Sequence, residues 1–397
     1  MLRARDGEQR EHDLVLFGAT GFTGALTATY LATHAPKGFR WALAGRSEQR
    51  LGALRAKLAA IDPAHAKLPL LTADITDPTS LRAVAGSARL VVSSVGPYLT
   101  YGEPLVAACA EAGTDYADLA GEPEFLDRMY VRYHQRARAS GARLVHACGF
   151  DSIPPDLGVR YTVGLLPEGV PLRVDGYVHT HAAFSGGTFA SALNAASRPV
   201  AMARAARARR RVEPRPAGRA VRAPLGSPHR SRDLGVWALP LPTIDAQIVA
   251  RSAAASARYG PAFRYRHFAA VQRLPVAVAG VAGTGALLAL AQIPPIRSWL
   301  SGRHKPGVGP SEERRAGSWF TVRLVGEGGG RRVITEVSGG DPGYDETAKM
   351  LAESALCLAL DDLPETSGQV TPATAMGGAL TDRLIRAGLV FRVVQGA

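Results

Sequence analysis

Short apolar runs alternate with segments of helical periodicity along the first 150 residues. Helical patterns separate the runs, at 22–31, 48–60, 80–85, 103–112 and 124–140. The apolar runs predict six strands, at 14–17, 40–45, 68–73, 90–94, 115–119 and 143–147. Alternating strands and helices predict a parallel sheet with right-handed crossovers, and six strands fit a doubly wound order. Residues 1–150 are therefore predicted to form an α/β domain of the Rossmann type.

Three glycines at intervals of three follow the first predicted strand. Gly18 permits a tight turn, Gly21 lets a pyrophosphate approach the backbone, and Gly24 lets the next helix pack close to the strand. The free N–H groups and dipole of that helix attract phosphate. The order of strand, glycine turn and helix predicts a dinucleotide site rather than a plain structural turn. The other predicted members of this loop are Thr20, Phe22 and Thr23.

The end of the second strand indicates which dinucleotide binds. An NAD site usually carries Asp or Glu at this point, but Arg46 and Ser47 stand here instead. A guanidinium matches a 2′-phosphate, so we expect NADP(H) rather than NAD(H). Asp74, after the third strand, is predicted either to meet the adenine or to serve a helix cap or turn.

The fourth strand ends beside the first, where a doubly wound sheet binds its ligand. Ser94, Val95 and Gly96 are therefore added to the predicted cofactor site. Tyr98 and Tyr101 follow, and each is either a candidate catalytic proton donor or an aromatic residue that packs the loop.

Three more polar residues lie after later strands of this domain. Asp151 is a candidate catalytic residue, and with Ser152 it either lines the cleft or caps a helix. Glu122 either binds the nicotinamide or begins the next helix. None of the five lysines lies four residues after a tyrosine, which argues against the short-chain reductases and their Tyr-x-x-x-Lys pair.

The second half, residues 151–397, is predicted to be an α+β domain. Strand alternation occurs at 174–181, 319–325 and 332–337, and amphipathic helices are expected at 347–360 and 379–387. The turn 185–188, Ser-Gly-Gly-Thr, either faces the cofactor or closes a hairpin.

The net charge of +13 is concentrated in residues 203–232, which hold ten arginines and one acid. The first part of this basic loop is expected to continue a helix and the rest to be exposed. A solvated loop and attraction to an anionic membrane surface both explain it. Nucleic acid is not an expected partner, because the tract lacks aromatic residues and reading motifs.

Residues 276–293 form an uncharged, mostly apolar segment between two arginines. A buried core helix, a helix in a lipid interface and a transmembrane span all remain open for it. Three widely separated cysteines show no metal spacing, so no metal site is expected. The charged N-terminus does not resemble a signal peptide, which favours the cytoplasm. The basic tract and the apolar segment leave peripheral contact with the plasma membrane open as an alternative to a purely cytoplasmic location.

Seven motifs together resemble the saccharopine dehydrogenase-like oxidoreductases, and within them the trans-acting enoyl reductase branch. These motifs span nearly the whole chain: 18–24 (GATGFTG), 44–46 (AGR), 95–98 (VGPY), 101–104 (YGEP), 118–122 (DLAGE), 148–154 (CGFDSIP) and 343–348 (GYDETA). The Thr-Pro-Ala-Thr-Ala-Met-Gly run at 371–377 extends the resemblance toward the C-terminus.

The resemblance implies an NADP-dependent enzyme that reduces an enoyl group on a lipid or polyketide acyl chain, often at a membrane. Two alternatives stay open at this point: a non-catalytic NADP(H)-binding protein of lipid surfaces, and a saccharopine-type amino-acid dehydrogenase. A homodimer is one assembly that we consider.

Overall fold

The computed structural model describes residues 10–182, 197–276 and 309–396, together with 278, 279, 283 and 290. Two β-sheets organise this part of the chain, one in each half.

The first sheet is entirely parallel, in the order β14-β6-β5-β4-β1-β2-β3. This order confirms the predicted doubly wound fold. Its strands are β1 (Leu14–Phe17), β2 (Trp41–Gly45), β3 (Leu70–Thr72), β4 (Leu90–Ser93), β5 (Asp115–Asp118), β6 (Arg143–Val145) and β14 (Gly368–Val370). The helices that cross between them are α1 (Phe22–His34), α2 (Glu48–Ala59), α3 (Pro78–Ser87), α4 (Tyr98–Tyr101), α5 (Glu103–Ala112) and α6 (Pro123–Ser140).

Several boundaries differ from the predicted ones for local reasons. Strand β3 begins later than predicted because the Leu68 N–H donates back to the His65 carbonyl oxygen at 3.1 Å, which closes the 3-10 turn Pro63–Lys67. Helix α3 begins earlier, at Pro78, because the Asp77 carboxylate accepts the N–H groups of Thr79 and Ser80. The seventh strand, β14, was not predicted, because three residues carry too little periodicity to be recognised.

The second sheet is mixed, in the order β15-β13-β12-β7-β11-β10-β9, with β8 paired to β11. Strands β7, β8 and β11 run parallel, and the other described pairings are antiparallel. Its strands are β7 (Leu172–His181), β8 (Ala220–Arg222), β9 (His229–Arg230), β10 (Trp237–Pro240), β11 (Ala262–Val271), β12 (Trp319–Gly328), β13 (Arg331–Gly339) and β15 (Val390–Gly396).

Helices of the second half pack on both sheets. Helix α7 lies against β12 and β13, while α11 lies against α1, β4 and β5. One buried core consequently includes Leu16 of the first sheet, Leu324 of the second and Leu351 of α11. The helices are α7 (Ile153–Gly164), α8 (Pro199–Val212), α9 (Asp245–Ala255), α10 (Glu312–Ala316), α11 (Asp345–Leu360), α12 (Pro372–Ala375) and α13 (Gly377–Arg386).

The basic tract continues a helix in its first part, which lies in α8. Its later part differs from the predicted exposed loop, because it forms β8 and β9 of the second sheet. Arg209 is buried and donates to the Asp127 carboxylate on α6 at 2.5 Å. Arg219 donates to the carbonyl oxygens of Gly260 and Ala253 at 3.0 and 2.8 Å. These arginines therefore hold the tract against the fold, which composition alone does not reveal.

The apolar segment 276–293 lies largely outside the described residues. Within the described ranges, no helix combines the length and the apolar character that crossing a membrane requires.

Candidate cofactor cleft and active site

The turn between β1 and α1 is held open by its glycines. Gly18 has a φ of +82°, and a Cβ there would lie 2.5 Å from Cγ2 of Val95. The Gly18 N–H donates to the Ala44 carbonyl oxygen at 2.9 Å, which fixes the turn to β2. Only glycine adopts this backbone conformation without strain and also leaves the required space.

The next two glycines set the distance between the turn and the helix. A Cβ on Gly24 would lie 2.3 Å from the Gly18 carbonyl oxygen, so α1 can approach β1 only with glycine here. A Cβ on Gly21 would meet just one described atom within 4 Å, that same oxygen at 3.3 Å. No side chain caps the first turn of α1. The N–H groups of this turn and the bare Gly21 therefore fit a pyrophosphate.

Residues at the end of β4, the strand that pairs with β1 on its other side, support the glycine turn. The Ser94 hydroxyl donates to the Gly18 carbonyl oxygen at 3.1 Å, and its N–H donates to Phe17 at 3.0 Å. The Val95 N–H lies 3.4 Å from the Ser93 hydroxyl oxygen. Gly96 follows at the carboxyl end of β4, before a cis bond to Pro97. These predicted residues thus meet the glycine turn where the sheet order reverses.

Phe22 connects the glycine turn to the second half. Its ring meets Tyr344 edge to face, with centroids 4.8 Å apart, and the Arg315 guanidinium lies over it at 5.4 Å. Thr20 and Thr23 stay in the turn and the first helical turn. The Thr23 carbonyl oxygen accepts a hydrogen bond from the Thr27 hydroxyl at 2.9 Å. The first phosphate-facing turn is therefore held from both halves of the chain.

The predicted adenosine end lies at the carboxyl ends of β2 and β3. Arg46 is exposed there, whereas Ser47 caps α2 by accepting the Arg50 N–H at 3.3 Å. Asp74 accepts the N–H and hydroxyl of Thr76 at 2.8 and 2.7 Å. Those hydrogen bonds, with a smaller contribution from Arg46, lower the pKa of Asp74. Asp74 thus holds a turn beside an arginine that is available to a 2′-phosphate.

Tyr98 is buried between the ends of β4 and β5. Its hydroxyl donates to the Ser93 carbonyl oxygen at 3.0 Å and accepts the Leu119 N–H at 3.1 Å. Burial, followed by the nearby Asp118 carboxylate, raises the pKa of Tyr98 well above its usual value. Its N–H donates to Glu122 at 3.2 Å, and Glu122 stands at the start of α6. This geometry ties two strand ends together at the cleft.

Two further candidates differ sharply in their surroundings. Tyr101 ends the short helix α4 and is 41% exposed. Asp151 lies after β6, and a Cβ on Gly121 would stand 2.8 Å from its Oδ2. Burial raises the pKa of Asp151 to about 6. Asp151 is thus a carboxyl group beside the end of β5 that keeps its proton more readily than a solvated aspartate.

The helix-capping alternative for these residues is not what the structure shows. Ser152 stands at the N-cap of α7, but no side chain caps that helix. The Ser152 hydroxyl is buried and has no hydrogen-bond partner among the described residues. A buried hydroxyl without a partner is costly, and such groups are often found at functional sites.

The fold also brings together polar residues that the sequence did not single out. Burial, and then nearby charges that include Asp151 and Asp156, raise the pKa of Asp245 well above its usual value. The His267 Nε2 lies 3.5 Å from Oδ2 of Asp245, and burial lowers the pKa of His267 to about 3. Tyr265 meets Nδ1 of the same ring at 2.7 Å. No sequence signal marks this group, because its members come from α7, α9 and β11.

The remaining predicted features have simpler outcomes. The turn 185–188 lies outside the described residues. His179 and His181 both pack against Trp319, with centroids 4.9 and 6.2 Å apart. Within the described ranges, no group of histidine, cysteine and acidic residues is arranged to hold a metal ion.

Comparisons with known proteins agree with this architecture. The family model described as the saccharopine dehydrogenase NADP binding domain matches residues 14–145. A Mycobacterium tuberculosis protein provisionally named a trans-acting enoyl reductase is 40% identical, over 97% of this chain and 98% of that protein. A trans-acting enoyl reductase of Mycobacterium ulcerans is 38% identical, over 98% and 99%.

A solved structure shows the same fold at low identity. Saccharopine dehydrogenase (L-Glu forming) from Saccharomyces cerevisiae matches with a TM-score of 0.57 and 13% identity, covering 96% of this chain and 99% of that one.

The fold and the glycine turn, with the family match, define an NADP-dependent oxidoreductase. The chain belongs to the saccharopine dehydrogenase-like family, in its trans-acting enoyl reductase branch. Its cofactor is accordingly NADP(H), as the arginine after β2 predicts.

Proposed function

We propose that the protein is an NADPH-dependent enoyl reductase that acts on the thioester of a lipid or polyketide acyl chain. The observation that carries this proposal is Asp151, a carboxyl group of raised pKa at the carboxyl edge of the cofactor-binding sheet. The names of the relatives support the enoyl group as substrate.

Bound NADPH would supply a hydride to the β-carbon of the double bond. The α-carbon then needs one proton, and Asp151 is the group that we assign to deliver it. A carboxylic acid whose pKa lies near 6 keeps a useful fraction of its proton close to neutral pH, as general acid catalysis requires. Burial, and then nearby charges that include Asp151, raise the pKa of Asp245, so the two neighbouring carboxyl groups disfavour each other's ionisation.

Tyr98 and Tyr101 keep separate roles in this proposal. The Tyr98 hydroxyl is engaged by the backbone of two strands, so we assign it to positioning the cleft wall. Its role as a proton donor, predicted from sequence, stays a prediction. Tyr101 is exposed beside the same cleft wall, where it is available to contact an acyl chain.

We also propose that the enzyme works beside an anionic membrane surface. Helix α8 presents exposed arginines on its outer side, among them Arg204, Arg210 and Arg211, and Val200 near its start is 70% exposed. Cationic and apolar groups on one helix favour adsorption to anionic lipid. Flotation with phosphatidylglycerol vesicles tests this: the proposal expects binding that weakens in the Arg210→Gln/Arg211→Gln variant, and protein that never floats contradicts it.

The enzymatic proposal is tested by following NADPH oxidation with a panel of enoyl thioesters, and with an α-keto acid plus an amino acid as a control. A second control follows reduction of NADP⁺ with saccharopine. We expect oxidation with an enoyl thioester and loss of turnover in Asp151→Asn. Asp382→Asn, at an exposed position of α13, is the matched control and should keep wild-type turnover. Turnover only with the amino-acid substrates would favour the saccharopine-type alternative. Tight NADPH binding without oxidation by any substrate would favour the non-catalytic one.

A further inference from the structure

A cavity opens at the edge of the second sheet where β7, β8 and β11 begin. Its volume is about 680 Å³, within the range of small-molecule sites. Pro171, Ala220 and Ala262 give it exposed apolar surface. The charged residues that line it are five arginines and one glutamate: Arg173, Arg222, Arg264, Arg331, Arg332 and Glu327.

Five of these charged residues form one row across five neighbouring strands. Arg332 pairs in register with Glu327, and Glu327 with Arg173. Arg264 then pairs in register with Arg173 on one side and with Arg222 on the other. Side chains in register on adjacent strands project from the same face of a sheet. The row therefore alternates in charge at one end and carries three consecutive arginines at the other.

Glu327, the acidic residue of the row, forms its described ion pairs only at the end of the row where the charges alternate. Glu327 accepts from Arg173 Nε at 2.5 Å and lies 3.4 Å from Arg332 Nε. Arg332 also pairs with Asp233. No described acid pairs with Arg222 or Arg264, and Nε of Arg264 is buried without a described hydrogen-bond partner. Like charges on directly opposed positions repel, so this end of the row lacks an anion.

We propose that this cavity is a binding site for an organic phosphate, separate from the cofactor cleft. Neighbouring guanidinium groups match phosphate oxygens with paired, charge-assisted hydrogen bonds. Pro171, Ala220 and Ala262 are exposed, lie on the same face as the arginines and offer apolar contact to the body that carries the phosphate. A lipid headgroup and a soluble organic phosphate share this chemistry.

The site is distant from the chemistry proposed above. Helix α7 begins beside Asp151, and its 12 residues extend about 18 Å before the turn that leads into β7. Pro167, in that turn, approaches Gly329 of the hairpin beside the cavity. Ligands in the cavity therefore neither touch nor replace the predicted nucleotide phosphates, and the proposal stands whether or not the enoyl substrate is correct.

The test is calorimetric titration of the NADP-saturated protein, so that the cofactor site is already filled. The two probes are inorganic pyrophosphate and monomeric dihexanoyl phosphatidic acid, which represent the soluble and the lipid source. We expect at least one probe to bind, and its affinity to fall as the salt concentration rises. In the Arg222→Gln/Arg264→Gln variant, the affinity for that probe should fall tenfold or more. Binding of phosphatidic acid alone identifies a lipid headgroup, and binding of pyrophosphate with equal affinity identifies phosphate itself as the determinant.

A matched variant separates the site from the general charge of the protein. Arg82→Gln/Arg386→Gln removes the same two charges from exposed positions on α3 and α13 and should bind both probes as the wild type does. NADPH affinity, measured on all variants, shows that each is folded. The proposal is overturned by absence of binding of both probes, or by equal losses in the two double variants.

Discussion

The close approach of α1 to β1 gives a direct test of how the glycine turn builds the cofactor site. In Gly24→Ala the new methyl group would stand 2.3 Å from the Gly18 carbonyl oxygen and 2.7 Å from the Ser94 hydroxyl oxygen. The first atom belongs to the turn that receives the pyrophosphate and the second hydrogen-bonds to that turn from the end of β4, so relief of the contact must move the turn or the first turn of α1. We expect weaker NADPH binding and a less stable fold.

Gly52→Ala is the reference substitution against which the stability of Gly24→Ala is compared. Gly52 lies within α2, and a Cβ there would meet no described atom within 4 Å. Alanine is favoured over glycine within a helix by about 1 kcal/mol, so Gly52→Ala should stabilise the protein slightly. Overpacking a rigid site costs about 1–3 kcal/mol. Because the helix preference favours alanine in both variants, we expect Gly24→Ala to be less stable than Gly52→Ala by about 1–3 kcal/mol.

Urea unfolding followed by tryptophan fluorescence measures the stability difference, and NADPH titration measures the affinity. Displacement of the phosphate-facing N–H groups should weaken NADPH binding at least tenfold, or about 1.4 kcal/mol, in Gly24→Ala only. Gly24→Ala that matches Gly52→Ala in both measurements would refute the argument that this close approach builds the site.

Other substitutions test the remaining parts of the account. Arg46→Gln should weaken NADPH binding about tenfold or more, because a charged hydrogen bond contributes about 1.5–3 kcal/mol, and it should leave NADH affinity unchanged. An equal loss of affinity for NADPH and NADH would contradict the contact between Arg46 and the 2′-phosphate. The pKa of Asp151 is about 6 in the fold against 3.8 unfolded, so its ionisation costs stability as pH rises from about 4 to 6. Asp151→Asn should therefore be more stable than the wild type at pH 7 by on the order of 1–3 kcal/mol, yet inactive. The wild-type kcat/KM should fall above about pH 6. If the two proteins were equally stable at about pH 4 and at pH 7, that would argue against the raised pKa of Asp151. Tyr98→Phe removes the hydroxyl that accepts the half-buried Leu119 N–H, so it should lower stability by about 1–3 kcal/mol and reduce turnover, with NADPH affinity kept. Unchanged turnover would remove Tyr98 from the working site. Arg209→Ala should destabilise the fold by about 3–5 kcal/mol, because it leaves a buried carboxylate unpaired, whereas Arg211→Ala should stay within about 0.5 kcal/mol.

The sequence was sufficient for the parts of the molecule that depend on local pattern. The run from Leu14 to Gly24 predicts the strand, the turn and the helix because each glycine has a separate steric reason to be there. The arginine after β2 predicts the cofactor for an equally local reason. Six of the seven strands in the first sheet follow from the alternation of apolar runs and helices.

Features that depend on distant contacts could not be predicted in this way. Strand β14 joins the first sheet from residue 368 onward, because its edge pairs with β6. The first part of the basic tract was predicted to continue a helix, but composition does not show that Arg209 on that helix would find Asp127 on another helix. Asp245 and His267 carry no motif, and only the packing of α9 against β11 brings them together.

The row of arginines is a second feature that the sequence could not predict. Arg173, Arg264 and Arg222 lie on three separate strands, and only the strand register places them in one line. In the sequence each is an ordinary polar position of an alternating strand.

The measurement that tests the central claim most directly is the position of isotope in the product. The purified protein is given an enoyl thioester with NADPH deuterated at the transferable position, and the product is analysed by NMR; a parallel reaction uses unlabelled NADPH in D₂O. The account predicts deuterium from the cofactor at the β-carbon, and deuterium from solvent at the α-carbon. Cofactor deuterium at any other carbon, or an unreduced double bond while NADPH binds tightly, would contradict it.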